Sequence, residues 1–457
     1  MAVQASPPAE EADGALSVRG ELGALLKLAG PVVASRLGVM AMGLTDAIVV
    51  GRYAAEQLGF HALAWAPTSV VATLAIGLLS GVQVMTARAI GAGRSAEAGA
   101  VLRRGIVYSL WIGLISTLGL WAGGPAFLRA MGLEPHLAEG AGRALVVFAL
   151  SLPFTTLGVA ASSWLEGLSR PAPAAWFMWA ANVVNLVLVL LLVPGTFGLP
   201  ALGAVGGAWA TTGARGFLAL SLVVYIATMR DARALGVFDR PARNRPAEAD
   251  QRRIGYGAGA SNFLETASFA SMNIIAGWIG ALTVAGWAIV LNVVAIAFMA
   301  PLGLAAATAV RVGSAYGERD PRALQRRALV AFAVTAVFGL VVSLVVWPAS
   351  GLIVKAYTRD AATLAMAGPA LALAGLFLIP DALQVVIAQA LRARGDVWPP
   401  TFTHLASYGL VMMPLAWWLA IPLGLGLTGI VLAVTAASFL SAGLLAVRFW
   451  MLCRRDR

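Results

Sequence analysis

Continuous apolar windows, each about as long as a lipid bilayer is thick, are the feature that most limits what this sequence can fold into. A hydrocarbon core of about 30 Å requires roughly 20 apolar residues in a helix, and such windows recur from Leu22 to Trp450. Residues 186–193 are apolar at every position, whereas the strands of a membrane barrel alternate. Because 60% of the 457 residues are hydrophobic and 12% are charged, the chain is predicted to be an all-α integral membrane protein.

Breaks at charged and Gly/Pro-rich segments divide these windows into twelve predicted transmembrane helices, six in each half. The spans are predicted at 22–50, 58–86, 103–123, 141–165, 172–194, 203–228, 254–280, 283–311, 327–353, 361–391, 398–421 and 427–450. The predicted domains are a cytoplasmic tail at 1–21, an N-terminal six-helix lobe at 22–228, a cytoplasmic linker at 229–253, a C-terminal six-helix lobe at 254–451 and a cytoplasmic tail at 452–457.

Arginine is concentrated in alternate predicted loops. It clusters after the second, sixth and eighth spans, for example at Arg103-Arg104 and Arg326-Arg327. Basic loops remain in the cytoplasm, so both termini are predicted to be cytoplasmic and the chain to be a multi-pass protein of the bacterial inner membrane. The net charge of +11 then follows from topology. Because these arginines form no patch interleaved with aromatic residues, no nucleic-acid partner is predicted.

The two halves are related in sequence. Gly77-Leu78 and the basic loop after it resemble Gly303-Leu304 and its loop, 226 residues later, and the same separation aligns the turn at Ser169 with the turn at Gly395. Six spans per half is an even number, so both halves share one orientation. We therefore expect two lobes related by a pseudo-two-fold axis along the membrane normal, with a cleft between them.

Five ionisable residues fall inside predicted spans, where a charge costs roughly 3 kcal/mol or more. They are Arg36, Asp46, Arg215, Glu265 and Asp381. Glu265 and Asp381 lie far from any loop, and a desolvated carboxylate there can take a proton or hold a metal cation. Sodium is the metal expected if the coupling ion is not a proton. Arg215 cannot lose its charge, and Asp46 is its predicted partner.

Neighbouring side chains complete the predicted sites. Asn262, Asn292 and Gln384 could supply oxygen ligands near the two carboxylates, and Asn182 and Asn185 share one helix face. Trp65, Trp287 and Phe377, with Arg36 and Arg215, are the candidates for lining a substrate cleft. Hydrogen bonding between helices and ordinary packing are the alternatives for all of these residues.

Motifs for catalysis are absent from the sequence. The only lysines are Lys27 and Lys355, so there is no phosphate-binding loop ending in Gly-Lys-Ser/Thr, and there is no HExxH or GxSxG motif. The chain is therefore predicted not to be an enzyme. An intramembrane enzyme using Glu166 or Asp396 remains the alternative of a different class.

Several short segments, taken in order, resemble one known family, the multidrug and toxic compound extrusion (MATE) transporters, in their NorM-like bacterial branch. The segments are Leu28-Ala29-Gly30-Pro31, Asp46 with Val50-Gly51-Arg52, Gly91-Ala92-Gly93, Glu265, Asn292 with Pro301-Leu302-Gly303, and Asp381-Ala382-Leu383-Gln384. The resemblance extends over about residues 22–450.

This resemblance implies a secondary active antiporter. Such a protein would export organic, cationic or aromatic compounds in exchange for sodium ions or protons. Glu265 and Asp381 would be the coupling-ion carboxylates, and Asp46 a further ion, proton or substrate residue. No cofactor beyond the coupling ion is expected, and the partners would be the substrate and the lipid bilayer, with the protein a monomer. Because Arg36 and Arg215 could bind a pyrophosphate, a flippase for lipid-linked sugar or peptidoglycan precursors is the alternative transport function.

Overall fold

A computed structural model describes residues 18–130, 134–239 and 244–455. Helices and turns account for the backbone there, and no strand occurs in these three ranges. The helices are α1 (Val18–Tyr53), α2 (Ala55–Gly91), α3 (Glu97–Ala130), α4 (Pro135–Gly167), α5 (Ala172–Leu192), α6 (Gly203–Thr228), α7 (Arg245–Ile279), α8 (Ala281–Glu318), α9 (Pro321–Tyr357), α10 (Ala361–Ala393), α11 and α12 (Gly426–Arg455). Helix α11 consists of Trp398–His404, a π-helical segment Leu405–Met412 and Met413–Ala420.

These twelve helices coincide with the twelve predicted spans, and most of them extend several residues past the prediction. Within the described ranges, ten helices are long and apolar enough to cross a membrane. The other two are α7, which carries Arg252 and Arg253 in its N-terminal part, and α11, which is built from short segments. The prediction of an all-α fold is confirmed.

The predicted tails and linker are shorter in the structure. Helix α1 begins at Val18, α7 begins at Arg245 inside the predicted linker, and α12 continues to Arg455. The helices outlast the apolar windows because their backbone hydrogen bonds do not depend on apolar side chains. The rest of these segments, residues 1–17, 240–243 and 456–457, lies outside the described residues.

Left-handed backbone positions recur in the two halves. Gly93 (φ 70°) and Arg319 (φ 57°) follow α2 and α8, and Ser169 (φ 62°) and Gly395 (φ 102°) follow α4 and α10. Both pairs are separated by the predicted 226 residues. The turns therefore carry the same duplication as the sequence.

The last helix of each half follows a different separation. Gly203 (φ 53°) and Gly426 (φ 54°) begin α6 and α12 and are 223 residues apart. Three residues further on, Gly206 and Gly429 both approach the preceding helix so closely that an added Cβ would lie within 2.7 Å of its backbone. Helices α6 and α12 therefore align with a shift of three residues.

Contacts between helices group the described residues into two units. The first unit contains Ala34–Ala270 and Gly395–Leu405. The second unit contains Ser271–Arg394 and the described parts of Met1–Val33 and Ala406–Arg457. This grouping differs from the predicted lobes at 22–228 and 254–451, because α1 is divided after Val33 and most of α7 joins the first unit.

Close packing between small residues accounts for this grouping. In the first unit, Gly77 of α2 lies against α7, and an added Cβ would lie 2.6 Å from the Cα atom of Gly259. In the second unit, Gly303 of α8 lies against α1, and an added Cβ would lie 2.4 Å from a Val33 methyl group. The two contacts are related by the repeat. The first helix of each half thus packs on the second helix of the other half.

Candidate functional site

The first unit contains a cavity of about 380 Å³ whose wall is mainly apolar. Residues of α1, α2, α4, α5 and α6 form it. Four of the predicted site residues line this cavity together: Arg36, Asp46, Trp65 and Arg215. A largely apolar cavity of this size with a few convergent polar groups has the properties of a small-molecule site.

Asp46 is the buried carboxylate of this cavity. Its side chain is 2% exposed, and its Oδ2 atom accepts a hydrogen bond from the Thr211 hydroxyl on α6. The Asn185 amide lies beside it. Among the described residues, no donor reaches the Oδ1 atom of Asp46 or pairs with the Asn185 amide. Buried polar atoms are nearly always paired, so this group of atoms is suited to take up a proton or a cation.

Arg215 lies one helical turn after Thr211 on α6. Its Nη1 atom donates to the hydroxyls of Thr155 at 2.8 Å and Ser151 at 3.2 Å, and its Cζ atom lies 5.1 Å from the centre of the Trp65 ring. The predicted direct ion pair between Arg215 and Asp46 is therefore wrong, because the α4 hydroxyls and the Trp65 ring hold the guanidinium. The two charges still interact through space.

A second pair of charges lies deeper along α1. Arg36 precedes Asp46 by ten residues, which corresponds to about 15 Å along a helix. Glu166 lines the same cavity and accepts a 2.7 Å hydrogen bond from the Gln83 amide, and Arg36 acts on it electrostatically. The cavity therefore holds two arginines and two carboxylates, one of each toward either end.

Asp381 is the buried carboxylate of the second unit, and it is 3% exposed. Its Oδ1 atom accepts hydrogen bonds from the hydroxyls of Tyr408 at 3.3 Å and Ser438 at 3.5 Å. Tyr408 belongs to the π-helical segment of α11, a distortion that is frequent at functional sites. The Gln384 side chain also bonds to this carboxylate, as predicted from its position near Asp381.

The polar contacts of Arg215 and Asp381 occupy equivalent places in the two halves. A separation of 226 residues relates Thr155 on α4 to Asp381 on α10. The separation of 223 residues for the last helices relates Arg215 on α6 to Ser438 on α12. The hydrogen bond between Arg215 and Thr155 thus corresponds to the one between Ser438 and Asp381. One half places a cation at this contact, and the other half places an acid.

Glu265 is partly buried on α7 and belongs to the first unit, whereas Asp381 belongs to the second. Asn262 lies one turn before Glu265 on the same helix. Asn292 of α8 accepts a 2.8 Å hydrogen bond from the Tyr357 hydroxyl. A shared role of Glu265 and Asp381 in ion coupling stays a prediction.

Three predicted site residues have packing roles in the structure. The Asn182 amide bonds to the carbonyl oxygens of Gly38 at 3.0 Å and Met178 at 2.9 Å, so it joins α5 to α1. Trp287 and Phe377 are fully buried in the second unit. The prediction that they line a cleft is wrong, because their rings fill space between helices.

Sequence reasoning missed the hydroxyl donors Thr211, Tyr408 and Ser438. Hydroxyl residues in apolar helices often bond to a carbonyl of their own helix, as Thr212 does to Ala208 at 2.8 Å. No local pattern distinguishes the ones that bond across helices. Their contacts depend on which helices meet.

The two halves both match a single family model. This model, described as MatE, matches residues 31–191 and again residues 258–418. The chain belongs to the MATE family. The double match confirms the predicted duplication, and membership of this family makes the chain a multi-pass membrane transporter and not an enzyme.

Known MATE proteins resemble the chain over nearly its full length. The "Probable multidrug resistance protein NorM" of Caulobacter vibrioides is 62% identical over 433 residues, which cover 95% of this chain and 92% of that protein. The "Multidrug resistance protein PmpM" of Pseudomonas aeruginosa is 30% identical over 427 residues, with coverage of 92% and 87%. The crystal structure of the eukaryotic MATE transporter AtDTX14 has a TM-score of 0.87 at 21% identity, with coverage of 96% and 99%. The NorM-like resemblance and the MATE fold of two six-helix lobes are confirmed.

Proposed function

We propose that this MATE transporter is an antiporter that exports organic, cationic or aromatic compounds in exchange for sodium ions or protons. It would act as a monomer in the bacterial inner membrane, with both termini in the cytoplasm, without a cofactor and without a nucleic-acid partner. The names of the NorM and PmpM relatives support multidrug compounds as the substrate class. The observation that carries the proposal is the cavity of the first unit, where an incompletely paired carboxylate faces an aromatic, apolar wall.

Competition for carboxylates would couple the two fluxes. A cationic substrate in the cavity would be attracted by Asp46 and stack on Trp65. Neutralisation of Asp46 by the coupling ion would remove that attraction and favour release. Asp381 and Glu265 would bind the coupling ion in the same way, so each lobe arrangement would be stabilised by the ligand that it binds better.

The residues present suit either coupling ion. Sodium is a hard cation that takes oxygen ligands, and the Tyr408 and Ser438 hydroxyls stand beside the Asp381 carboxylate. Sodium, when bound, would supply a positive charge that neutralises the acid. A proton would do the same on a single carboxylate oxygen.

A lipid-precursor flippase is the second candidate, because Arg36 and Arg215 both line the cavity. Two features favour the antiporter over it. The two arginines are matched by Asp46 and Glu166, and a cavity of about 380 Å³ is in the range of small-molecule sites. A pyrophosphate headgroup needs an excess of positive charge.

The test is dye efflux from proteoliposomes with an imposed sodium or proton gradient. Wild type is compared with Asp46→Asn, Glu265→Gln and Asp381→Asn, and with Asp360→Asn as the control, because Asp360 is an exposed helix-capping carboxylate and asparagine caps equally well. We expect gradient-driven efflux in wild type and Asp360→Asn and its loss in the other three variants. Efflux that needs no gradient, or that survives all three substitutions, would refute the antiporter. Transport of a lipid-linked pyrophosphate in the same vesicles would identify the flippase.

A further inference from the structure

We infer that Arg215 is a resident counter-cation for Asp46, so that Asp46 responds to protons and does not bind sodium. This inference rests on the proposed antiport function and assigns the coupling ion of the first-unit site. It concerns Asp46 alone. The Asp381 carboxylate, with its hydroxyl neighbours, remains open to either ion.

The position of Arg215 is fixed by its contacts. Thr155 and Ser151 accept from one guanidinium nitrogen, and Trp65 covers one face of the group. Thr211 donates to Asp46, and Arg215 follows Thr211 by four residues. Residues four apart on a helix have Cβ atoms about 5–6 Å apart on one face. The guanidinium is thus held on the same face of α6 as the hydroxyl that holds the carboxylate.

The duplication places this cation where the other half has an acid site. The contact between Arg215 and Thr155 is equivalent to the contact between Ser438 and Asp381. In the second unit the contact combines a carboxylate with hydroxyl donors, which together could surround a metal cation. In the first unit a permanent positive charge stands at the equivalent contact.

The other titratable and charged groups around Asp46 do not compensate Arg215. His61 on α2 lines the cavity, and its Nδ1 atom has no partner within the described part of the chain. Glu166 on α4 and Arg36 on α1 interact with each other, and Arg36 is about 15 Å along α1 from Asp46. Asp46 is therefore the acid that balances Arg215.

A fixed cation at this distance affects the two ions differently. A unit charge about 6 Å away weakens binding of any cation by about 100-fold at an effective dielectric constant of about 20. A proton still forms a covalent bond to one oxygen of Asp46. A hard metal cation needs several oxygen ligands at once, and one carboxylate with Thr211 and Asn185 cannot offset that loss. Protonation also leaves the charge of Arg215 unbalanced, which repels a cationic substrate from the cavity.

The experiment is labelling of Asp46 with dicyclohexylcarbodiimide, a reagent that adds to protonated carboxyls in apolar surroundings, in the purified full-length protein. Mass spectrometry of the peptide containing Asp46 measures the rate in sodium chloride and in choline chloride. We expect wild type to be labelled equally fast in both salts, and faster as the pH falls. In Arg215→Gln, sodium should protect Asp46, with the half-protecting sodium concentration at least about 10-fold lower than in wild type.

Two further variants serve as controls. Arg215→Lys keeps the charge and should remain insensitive to sodium, and Arg36→Gln removes the distant cavity arginine and should leave the sodium response of Asp46 unchanged. Sodium protection in wild type would overturn the inference even if no Arg215 variant folds, and so would the absence of protection in Arg215→Gln. Labelling requires no transport, so its outcome is independent of the dye-efflux test of antiport.

Discussion

The two buried carboxylates of this protein are held in similar ways and differ in the charge beside them. Asp46 and Asp381 are both almost fully buried, and both accept hydrogen bonds from hydroxyls of neighbouring helices. Asp46 shares its cavity with the guanidinium of Arg215, whereas Asp381 is bonded to neutral hydroxyl and amide groups. The duplication preserved the helices, the turns and even the contact between the fourth and sixth helices of each half. The charge at that contact was not preserved, so the two halves have separate chemical roles within one architecture.

The largest expected effect comes from removing the charge that balances Arg215. Asp46→Asn would leave a buried guanidinium without its acid, and we expect the free energy of unfolding to fall by about 3 kcal/mol. Asp381→Asn leaves neutral neighbours that can still bond to the amide, so about 1 kcal/mol is expected. Chemical unfolding in detergent, followed by circular dichroism, measures both. The double variant Asp46→Asn with Arg215→Gln should recover most of the loss, and equal losses in the two single variants would show that the difference in charge has no energetic weight.

The crosswise packing of the two halves offers the next comparison. Gly77→Ala would press a methyl group against the backbone of Gly259, which cannot move aside, and we expect a loss of about 2 kcal/mol. Gly303→Ala would meet a methyl group of Val33 first, and rotation of that side chain should limit the loss to about 1 kcal/mol. Gly23→Ala, with open space around it, is the matched control in the same unfolding assay. A larger loss for Gly303→Ala than for Gly77→Ala would contradict this view of the contacts.

The equivalent hydrogen bonds can be compared directly. Thr155→Val removes the acceptor that lies 2.8 Å from the Arg215 guanidinium, and an unsatisfied buried donor of this kind costs about 1–3 kcal/mol. Ser438→Ala removes a bond of 3.5 Å, for which less than about 1 kcal/mol is expected. The same unfolding measurement applies. Equal losses would mean that Arg215 does not depend on Thr155 for its position.

The smallest effect is expected at a carboxylate outside the membrane-spanning helices. Hydrogen bonds from the Thr363 hydroxyl and backbone lower the pKa of Asp360 below its ordinary value. Because the pKa is lower in the folded state, this carboxylate stabilises the protein at neutral pH, and the contribution disappears as the pH falls through the folded-state pKa. Asp360→Ala should therefore reduce thermal stability slightly at neutral pH and leave it unchanged in acid. A loss that persists in acid would assign the effect to something other than ionised Asp360.

The sequence was sufficient for the helices and for some of the site. Apolar windows longer than a bilayer leave few alternatives to helices, and the costly residues Arg36, Asp46 and Arg215 were identifiable individually. Their meeting in one cavity with Trp65 was not predictable in detail, because it depends on how α1, α2 and α6 pack. The π-helical segment that carries Tyr408 has no sequence signal of this kind. The expected ion pair failed for the same reason, since the hydroxyls of α4 that hold Arg215 belong to a different helix.

The crosswise packing of α1 and α7 has a consequence for biosynthesis. The ribosome completes the N-terminal half before most of α7 exists, so Gly77 has no partner until Gly259 has been made and inserted. The beginning of α1 is made first and must wait for α8 before it can pack against Gly303. Such long waiting times favour slow folding and exposure of unfinished intermediates. Two fragments separated between α6 and α7 would therefore assemble only when both are inserted together, and neither would mature alone.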